Sequence, residues 1–361
     1  MKKGVCLLCA LTLALCGGCD YREIDTLDIV SGMAVDRRSD GYSALLEIAD
    51  VTSGSEDNPK ARRVSTEGPS LTGALRSAGG QSGRQAYLGH TQLVLLGEQT
   101  ARQGAGDIID YLQRDSEAHM TLYLVVAEGE AASLLETQGE STAAFALAQA
   151  VELSGDTGRA PNMPLYRFLA DRSDEGVEGI LPIMAMEGET PIVAGTALFR
   201  GEKMEGRLDE DLTQALLMLR GEMETGTLTV GEGEEATAFS IEGCETELRF
   251  EGEGKEVRAR YSVELKLTLD QSGRDVNLAE ERERQRYEKV ARDAVQQRLD
   301  ELILYLQQDL ELDSLGVGQE MHRHELGLWR QLGEDWESLF PQCDITAEVG
   351  TELVGSGRTF R

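Results

Sequence analysis

The stretch Val257–Leu269, VRARYSVELKLTL, alternates apolar and polar residues without a break. Val257, Ala259, Tyr261, Val263, Leu265, Leu267 and Leu269 hold one parity; Arg258, Arg260, Ser262, Glu264, Lys266 and Thr268 hold the other. Successive strand side chains point to opposite faces, so this period of two predicts one long strand with one face buried. The period then changes. Leu278–Leu310 contains neither glycine nor proline, and Tyr287, Val290, Ala294, Leu299, Leu302, Ile303, Leu306 and Leu310 mark the apolar stripe of a long helix. Cys343, Ile345, Ala347 and Val349 alternate again as a closing strand. A helix packed across a few antiparallel strands is the simplest way to cover these apolar faces.

Towards the N-terminus, strand and helix signals alternate. Ile29–Asp36 and Tyr42–Val51 read as strands joined by a turn at Asp40-Gly41. Residues 53–70 are rich in Gly, Ser, Pro and charge and read as a loop. Ser70–Ala78 reads as a short helix stopped by Gly79-Gly80, and Gly79–Gly83 as a further loop. Thr91–Leu96 and Thr121–Ala127 are apolar enough to be buried strands, with a helix at Thr100–Arg114 between them and two more at Ala131–Glu136 and Thr142–Leu153. Short strands follow at Ile180–Met186 and Ile192–Phe199, then a helix at Glu210–Leu219, with Thr227–Val230 as an optional strand. The expected fold is a multi-domain α+β protein. A mixed-sheet α/β part comes first, and an antiparallel sheet packed by a long helix closes the chain. The expected boundaries are a signal peptide at 1–18, an N-terminal domain at 19–190, a connector at 191–235 that belongs to a small second domain if one exists, and a C-terminal domain at 236–361.

The 361 residues suffice for two or three domains at about 150 residues each. With 35 basic and 65 acidic residues the net charge is −30, which argues against nucleic acid as a partner, because phosphate binding needs a clustered basic face.

Residues 1–19 read MKKGVCLLCALTLALCGGC. Lys2 and Lys3 precede the apolar run Val5–Leu15, which suits a signal-peptide core and is too short to span a bilayer. Gly17 and Gly18 directly before Cys19 look like a bacterial lipobox, in which a diacylglycerol is attached to the Cys19 thiol and the chain is cut before it. Cys16 competes less well, since Leu15 is a poor residue at a cleavage position. An ordinary cleaved signal is the alternative. Loss of Lys2 and Lys3 would leave 33 basic against 65 acidic residues, a net of −32. Anionic lipid repels such a body, so attachment falls to the acyl chains and to partners.

Catalytic motifs are missing: there is no G-x-S-x-G, no P-loop and no dinucleotide fingerprint. His322-x-His324 could share a metal only on extended chain, because residues two apart diverge on a helix, and no zinc-type spacing completes it. No metal and no cofactor are expected. Cys244 and Cys343 are read as separate small core residues, with a disulfide as the alternative. Trp329 and Trp336 lie seven apart, on one face of a helix expected over Leu328–Leu339. Core packing is the first reading for them, and an exposed partner interface the second.

The motifs resemble one family in order along the chain. Cys19–Asp25 (CDYREID) and Ile29–Asp36 (IVSGMAVD) resemble the mature N-terminus of the Ger(x)C lipoproteins of bacterial spore germination. The likeness continues through Gly89–Glu98 (GHTQLVLLGE), Ala101–Gly104, Ile108–Leu112 and Arg114-Asp115. It returns at Gly195–Phe199, Gly206–Leu208, Asp313–Gly318 (DSLGVG), Trp329, Trp336, Phe340-Pro341 and Gly357. The chain departs from the family at Asp20, where Trp is common, and lacks the usual proline between His324 and Trp329. The resemblance implies a non-enzymatic C subunit of a nutrient germinant receptor. Such a subunit is anchored by its lipid on the outer face of the inner spore membrane, beside a multi-span transporter-like subunit and a second large membrane subunit. A solute-binding lipoprotein of a transporter is the alternative, disfavoured because that class has two similar lobes and the halves here differ.

Overall fold

The structure, a computed structural model, describes residues 26–55, 58–137, 142–233, 236–253, 256–272 and 277–355. Two sheets organise it. The larger starts with β1 (Leu27–Arg38), β2 (Gly41–Ser55) and β3 (Asn58–Gly68), an antiparallel meander. On its other edge β1 pairs in parallel with β4 (Gln85–Tyr87) and then β5 (Leu93–Gly97). The parallel run continues through β6 (Tyr123–Ala127) to β7 (Ile180–Glu187), and β8 (Thr190–Arg200) and β9 (Lys203–Leu208) close the sheet antiparallel. The order is β3-β2-β1-β5-β6-β7-β8-β9, nine strands with β4.

β5 is buried along its whole length and β6 nearly so, because helices cover both faces of a parallel sheet. One face carries α1 (Leu71–Ser82), α2 (Glu98–Gln103), α3 (Gly106–Arg114) and α6 (Leu165–Ser173) over Val94, Leu96, Leu124 and Val126. The other carries α4 (Ala132–Leu135) and α5 (Ala143–Asp156) over Ala34, Leu93, Leu95 and Val125.

The smaller sheet runs β10 (Gly226–Val230), β11 (Thr237–Glu253), β12 (Glu256–Gln271), β13 (Asp344–Gly355), after α7 (Glu210–Leu219). The alternating stretch is β12, with Val257, Ala259, Tyr261, Val263, Leu265, Leu267 and Leu269 all buried. Across it lies α8 (Glu281–Leu304). Its buried stripe is Tyr287, Ala291, Val295, Leu299, Leu302 and Ile303; Val290 and Ala294 are only partly buried, because the helix is rotated by about one residue from the expected phase. The apolar cluster on the first face of the large sheet is continuous with the one between α8 and the small sheet.

Several expectations need correction. β10–β12 are antiparallel as expected, but β13 runs parallel to β12: the chain leaves β12, crosses over through α8 and returns to the same end. The loop expected at residues 53–70 is largely β3, where pairing with β2 overrides a charged sequence with weak strand propensity. α1 runs through Gly79-Gly80 to Ser82, since a helical glycine costs only about 1 kcal/mol. The helix expected over Thr100–Arg114 is two, broken at Gly104, whose φ of 117° is outside helical space. Cys19 and the signal segment lie outside the described residues. Among those described, no helix is long and apolar enough to cross a membrane.

Cys244 and Cys343 are free. Cys244 faces Leu265, whereas Asp344, next to Cys343, faces Arg258, so about 25 Å of strand separates the thiols, far beyond disulfide reach. Burial pushes the Cys244 thiol up to about 11 and the Cys343 thiol up to about 12. The free edge of β13 is sealed by α8, where Gln296 donates to the Ala347 carbonyl at 2.8 Å and Glu288 accepts from the Leu353 N–H at 3.0 Å.

Glu47 on β2 is fully buried. It accepts from the Ala143 and Ala144 N–H groups at 2.8 and 3.0 Å, and from the Ser31 hydroxyl at 2.8 Å. It thus supplies the acceptors that the start of α5 lacks. Glu47→Ala is expected to destabilise the protein by about 3 kcal/mol, since buried donors lose their acceptor; chemical denaturation measures this. In native protein at pH 8, Cys244 and Cys343 should react slowly with a thiol reagent, because the thiolate is the reactive form, and promptly once denaturant is added.

Candidate functional site

The family-like loop Asp313–Gly318 lies where the two sheets meet. α8 ends in a π-helical turn, Tyr305–Leu310, and Glu311 then reverses the chain at φ 50°. Arg200, at the end of β8, donates to the Leu310 and Glu311 carbonyls at 2.7 and 3.1 Å, satisfying acceptors left over at the helix end. The reversal turns Asp313 inward, where it is 6% exposed.

Asp313 accepts four N–H groups. Oδ1 receives Gly316 at 2.9 Å and Val317 at 3.1 Å; Oδ2 receives Gly318 at 2.8 Å and the Trp336 indole at 2.9 Å. The carboxylate therefore caps α9 (Val317–His324) and ties it to the last helical segment. Burial pushes its pKa up, against the pull of those donors. Gly318 is required, because a Cβ there would sit 2.4 Å from the Trp336 indole nitrogen and 2.8 Å from Gly176 Cα.

Trp329 and Trp336 are 6% and 4% exposed, with ring centroids 6.0 Å apart. The helix expected over Leu328–Leu339 is split into α10 (Leu326–Leu332), a 3-10 turn and α11 (Trp336–Leu339). The indoles still meet, because the turn folds α11 back. Trp336 packs edge-on to Phe340, and His322 stacks on Trp329 at 5.2 Å. His324 instead reaches Glu320, so the two histidines diverge as a helix requires. Among the described residues, no group of three or more His, Cys, Asp or Glu side chains is placed to hold a metal ion.

The loop is also pinned to the large-sheet half. The Gln319 N–H donates to Gly176 O at 2.8 Å, and Glu178 N–H to Asp313 O at 2.9 Å. The Trp329 indole donates to Glu175 at 3.2 Å. Arg220, after α7, is buried and donates to Asp171 and Glu222 at 2.8 Å each and to Ser314 O at 2.9 Å. No local pattern marks Arg220, Asp171 or Glu222 in the sequence, since their partners come from distant segments.

A cleft of about 550 Å³ opens beside this joint, with Trp329, Trp336 and Phe340 in its wall. Eight carboxylates and two arginines, Arg172 and Arg200, line it. Glu178 accepts the Gly201 N–H at 2.9 Å; burial pushes its carboxyl up, and the charges of Glu337 and Asp313 add to the rise. Glu311, Glu334 and Glu337 on the rim have no cationic partner among the described residues. Such a cleft attracts positive charge and repels anions.

Two family models match in sequence order: the spore germination protein N-terminal domain over residues 20–186, and the spore germination B3/GerAC-like C-terminal family over residues 194–357. The chain is 22% identical to spore germination protein GerQC of Bacillus cereus, covering 99% of this chain and 100% of that relative. It is 23% identical to spore germination protein B3 of Bacillus subtilis (strain 168), covering 96% of each. Among solved structures, the crystal structure of the GerBC protein superposes with a TM-score of 0.60 at 17% identity, over 90% of this chain and 97% of that one, which shows a shared fold.

Asp313 lies in the second matched region. Asp313→Ala is expected to cost about 3 kcal/mol or more, because a buried indole and three buried backbone N–H groups lose their acceptor together. The emission of Trp336 should shift to the red in the same variant as water reaches the ring. Unchanged stability and unchanged emission would remove Asp313 from its place at the joint.

Proposed function

The chain belongs to the Ger(x)C family of spore germination proteins, and from that membership we propose that it is a lipid-anchored, non-enzymatic subunit of a spore nutrient germinant receptor. The observation that carries this reading is the ordered match of both family models across residues 20–357. Cys19 carries the diacylglycerol, after cleavage of the signal that precedes it. The body then sits on the extracytoplasmic face of the inner spore membrane. Its mature net charge of −32 opposes adhesion to anionic lipid, so the acyl chains hold it there and its protein partners orient it.

Those partners are a multi-span transporter-like subunit and a second large membrane subunit. The acidic cleft beside Trp329 and Trp336 suits a basic extracytoplasmic segment on one of them. With both indoles buried, they serve this surface by holding its walls in place.

Cys19→Ala should move the protein out of the spore membrane fraction, and nutrient-triggered germination should fall with it. Mass spectrometry of the wild-type N-terminus should find an acylated cysteine. A free Cys19 thiol in membrane-bound protein would overturn the anchor. Pull-down from spore membranes should recover the two membrane subunits, and recovery of a solute transporter instead would favour the solute-binding reading. Association with partner ectodomains should slow as ionic strength rises to about 0.15 M, where the Debye length is about 8 Å.

A further inference from the structure

The small sheet has one open side. β10 pairs with β11 only from Thr237 to Ile241. β11 runs on to Glu253, and among the described residues no strand pairs with its outer side from Gly243 onward. At about 3.4 Å per residue, roughly 35 Å of strand edge is left. The opposite edge of the same sheet is treated differently, since α8 seals β13 through Gln296 and Glu288. The end of α7 reaches β11 near Thr246, whose hydroxyl donates to the Met218 carbonyl at 2.7 Å. A long bare edge presents unpaired backbone N–H and C=O groups and is a template for another strand.

The side chains along this edge say what such a strand must carry. Leu248 and Phe250 lie on the core side, opposite Tyr261 and Ala259 of β12. Those two partners are buried, whereas Leu248 and Phe250 are only half-buried, because nothing flanks β11 on its outer side. Glu245, Glu247, Arg249 and Glu251 alternate with them on the solvent side and are exposed. Glu242–Glu253 holds five glutamates and one arginine, a net of −4. Glu247 pairs with Arg249, Glu251 with Arg260 and Glu245 with Lys266, but all are exposed pairs, which bind weakly. Counting both β12 cations, the edge remains negative. A second copy would set the same acidic row against itself, and like charges opposed across strands are destabilising. The edge therefore resists self-pairing and favours a strand of opposite charge.

We propose that the outer edge of β11, from Gly243 to Glu253, is a docking site for an extended segment of a partner protein in which apolar and basic residues alternate. The segment adds a fifth strand to the small sheet. Its backbone pairs with the bare edge, its apolar residues cover Leu248 and Phe250, and its basic residues meet Glu245, Glu247 and Glu251. Main-chain hydrogen bonds supply affinity, and the two side-chain rows supply selectivity. This surface is separate from the acidic cleft, which is lined by other residues. The inference goes beyond the receptor-subunit reading and stands without it, because it needs neither the anchor nor the cleft.

The test is amide hydrogen exchange, read by mass spectrometry, on the full chain in detergent. The probe is a peptide of about ten residues, a common upper length for a strand, alternating lysine and valine. It should slow exchange across Gly243–Glu253 at least about tenfold, and less so as salt rises. A glutamate–valine peptide should not. Combining Glu245→Lys, Glu247→Lys and Glu251→Lys should reverse that preference. Should the reversed chain not fold, Glu→Gln changes at the same three positions should weaken binding of the lysine peptide severalfold. Slowing confined to the cleft residues between Glu311 and Phe340 overturns the edge site and leaves the cleft reading standing. Equal slowing at β11 by a lysine–proline repeat, which has the charge but cannot pair as a strand, overturns strand addition. Slowing at β11 that grows with protein concentration and needs no peptide assigns the edge to a second copy and overturns the proposed partner.

Discussion

A carboxylate taken out of water must have its acceptor positions filled, and Asp313 meets that demand with four N–H groups. Much of the joint between the sheets follows from satisfying it. Glu311 takes a left-handed backbone to turn Asp313 inward, and Gly318 stays bare so that the Trp336 indole can come alongside. Trp336 in turn positions Phe340 and Trp329. Glu47 performs the same service for α5, and Asp36 for α4, where its carboxylate accepts from Ala131 at 3.0 Å. The starts of α4 and α5 are thus held by carboxylates on β1 and β2, which couples helix position to strand position directly, whereas α9 is held by Asp313 of its own leading loop.

That coupling explains how two sheets form one body. α8 covers the small sheet and seals the edge of β13, while Arg220 and the segment around Gly176 fasten the α9 loop to the large-sheet half. The apolar cluster runs on beneath these polar ties without interruption. Hydrophobic burial supplies the bulk of the driving force, and the polar contacts select one relative placement among the many that burial alone would allow.

The surface that results carries an acidic cleft beside the joint. The cleft with Trp329 and Trp336 in its wall carries excess carboxylate and suits a positively charged protein segment. A net charge of −30 opposes adhesion to anionic lipid.

The strands with strict alternation, the buried parallel strands and the long helix were legible in the sequence, because their periodicity is a local property set by backbone geometry. The family likeness was legible too, through the order of short motifs from Cys19 to Gly357. Asp313–Gly318 and the two tryptophans stood out there, yet the four-fold cap that joins them did not. The parallel placement of β13 and the strand at Asn58–Gly68 also escaped, since pairing direction and pairing itself depend on neighbours brought from elsewhere. Among dozens of carboxylates the sequence does not distinguish Asp313 or Glu47 from a solvated acid. The Trp336 indole that donates to Asp313 lies 23 residues away, and the Ala143 N–H that donates to Glu47 lies 96 away, and only the folded chain brings these donors and acceptors together in a place without water.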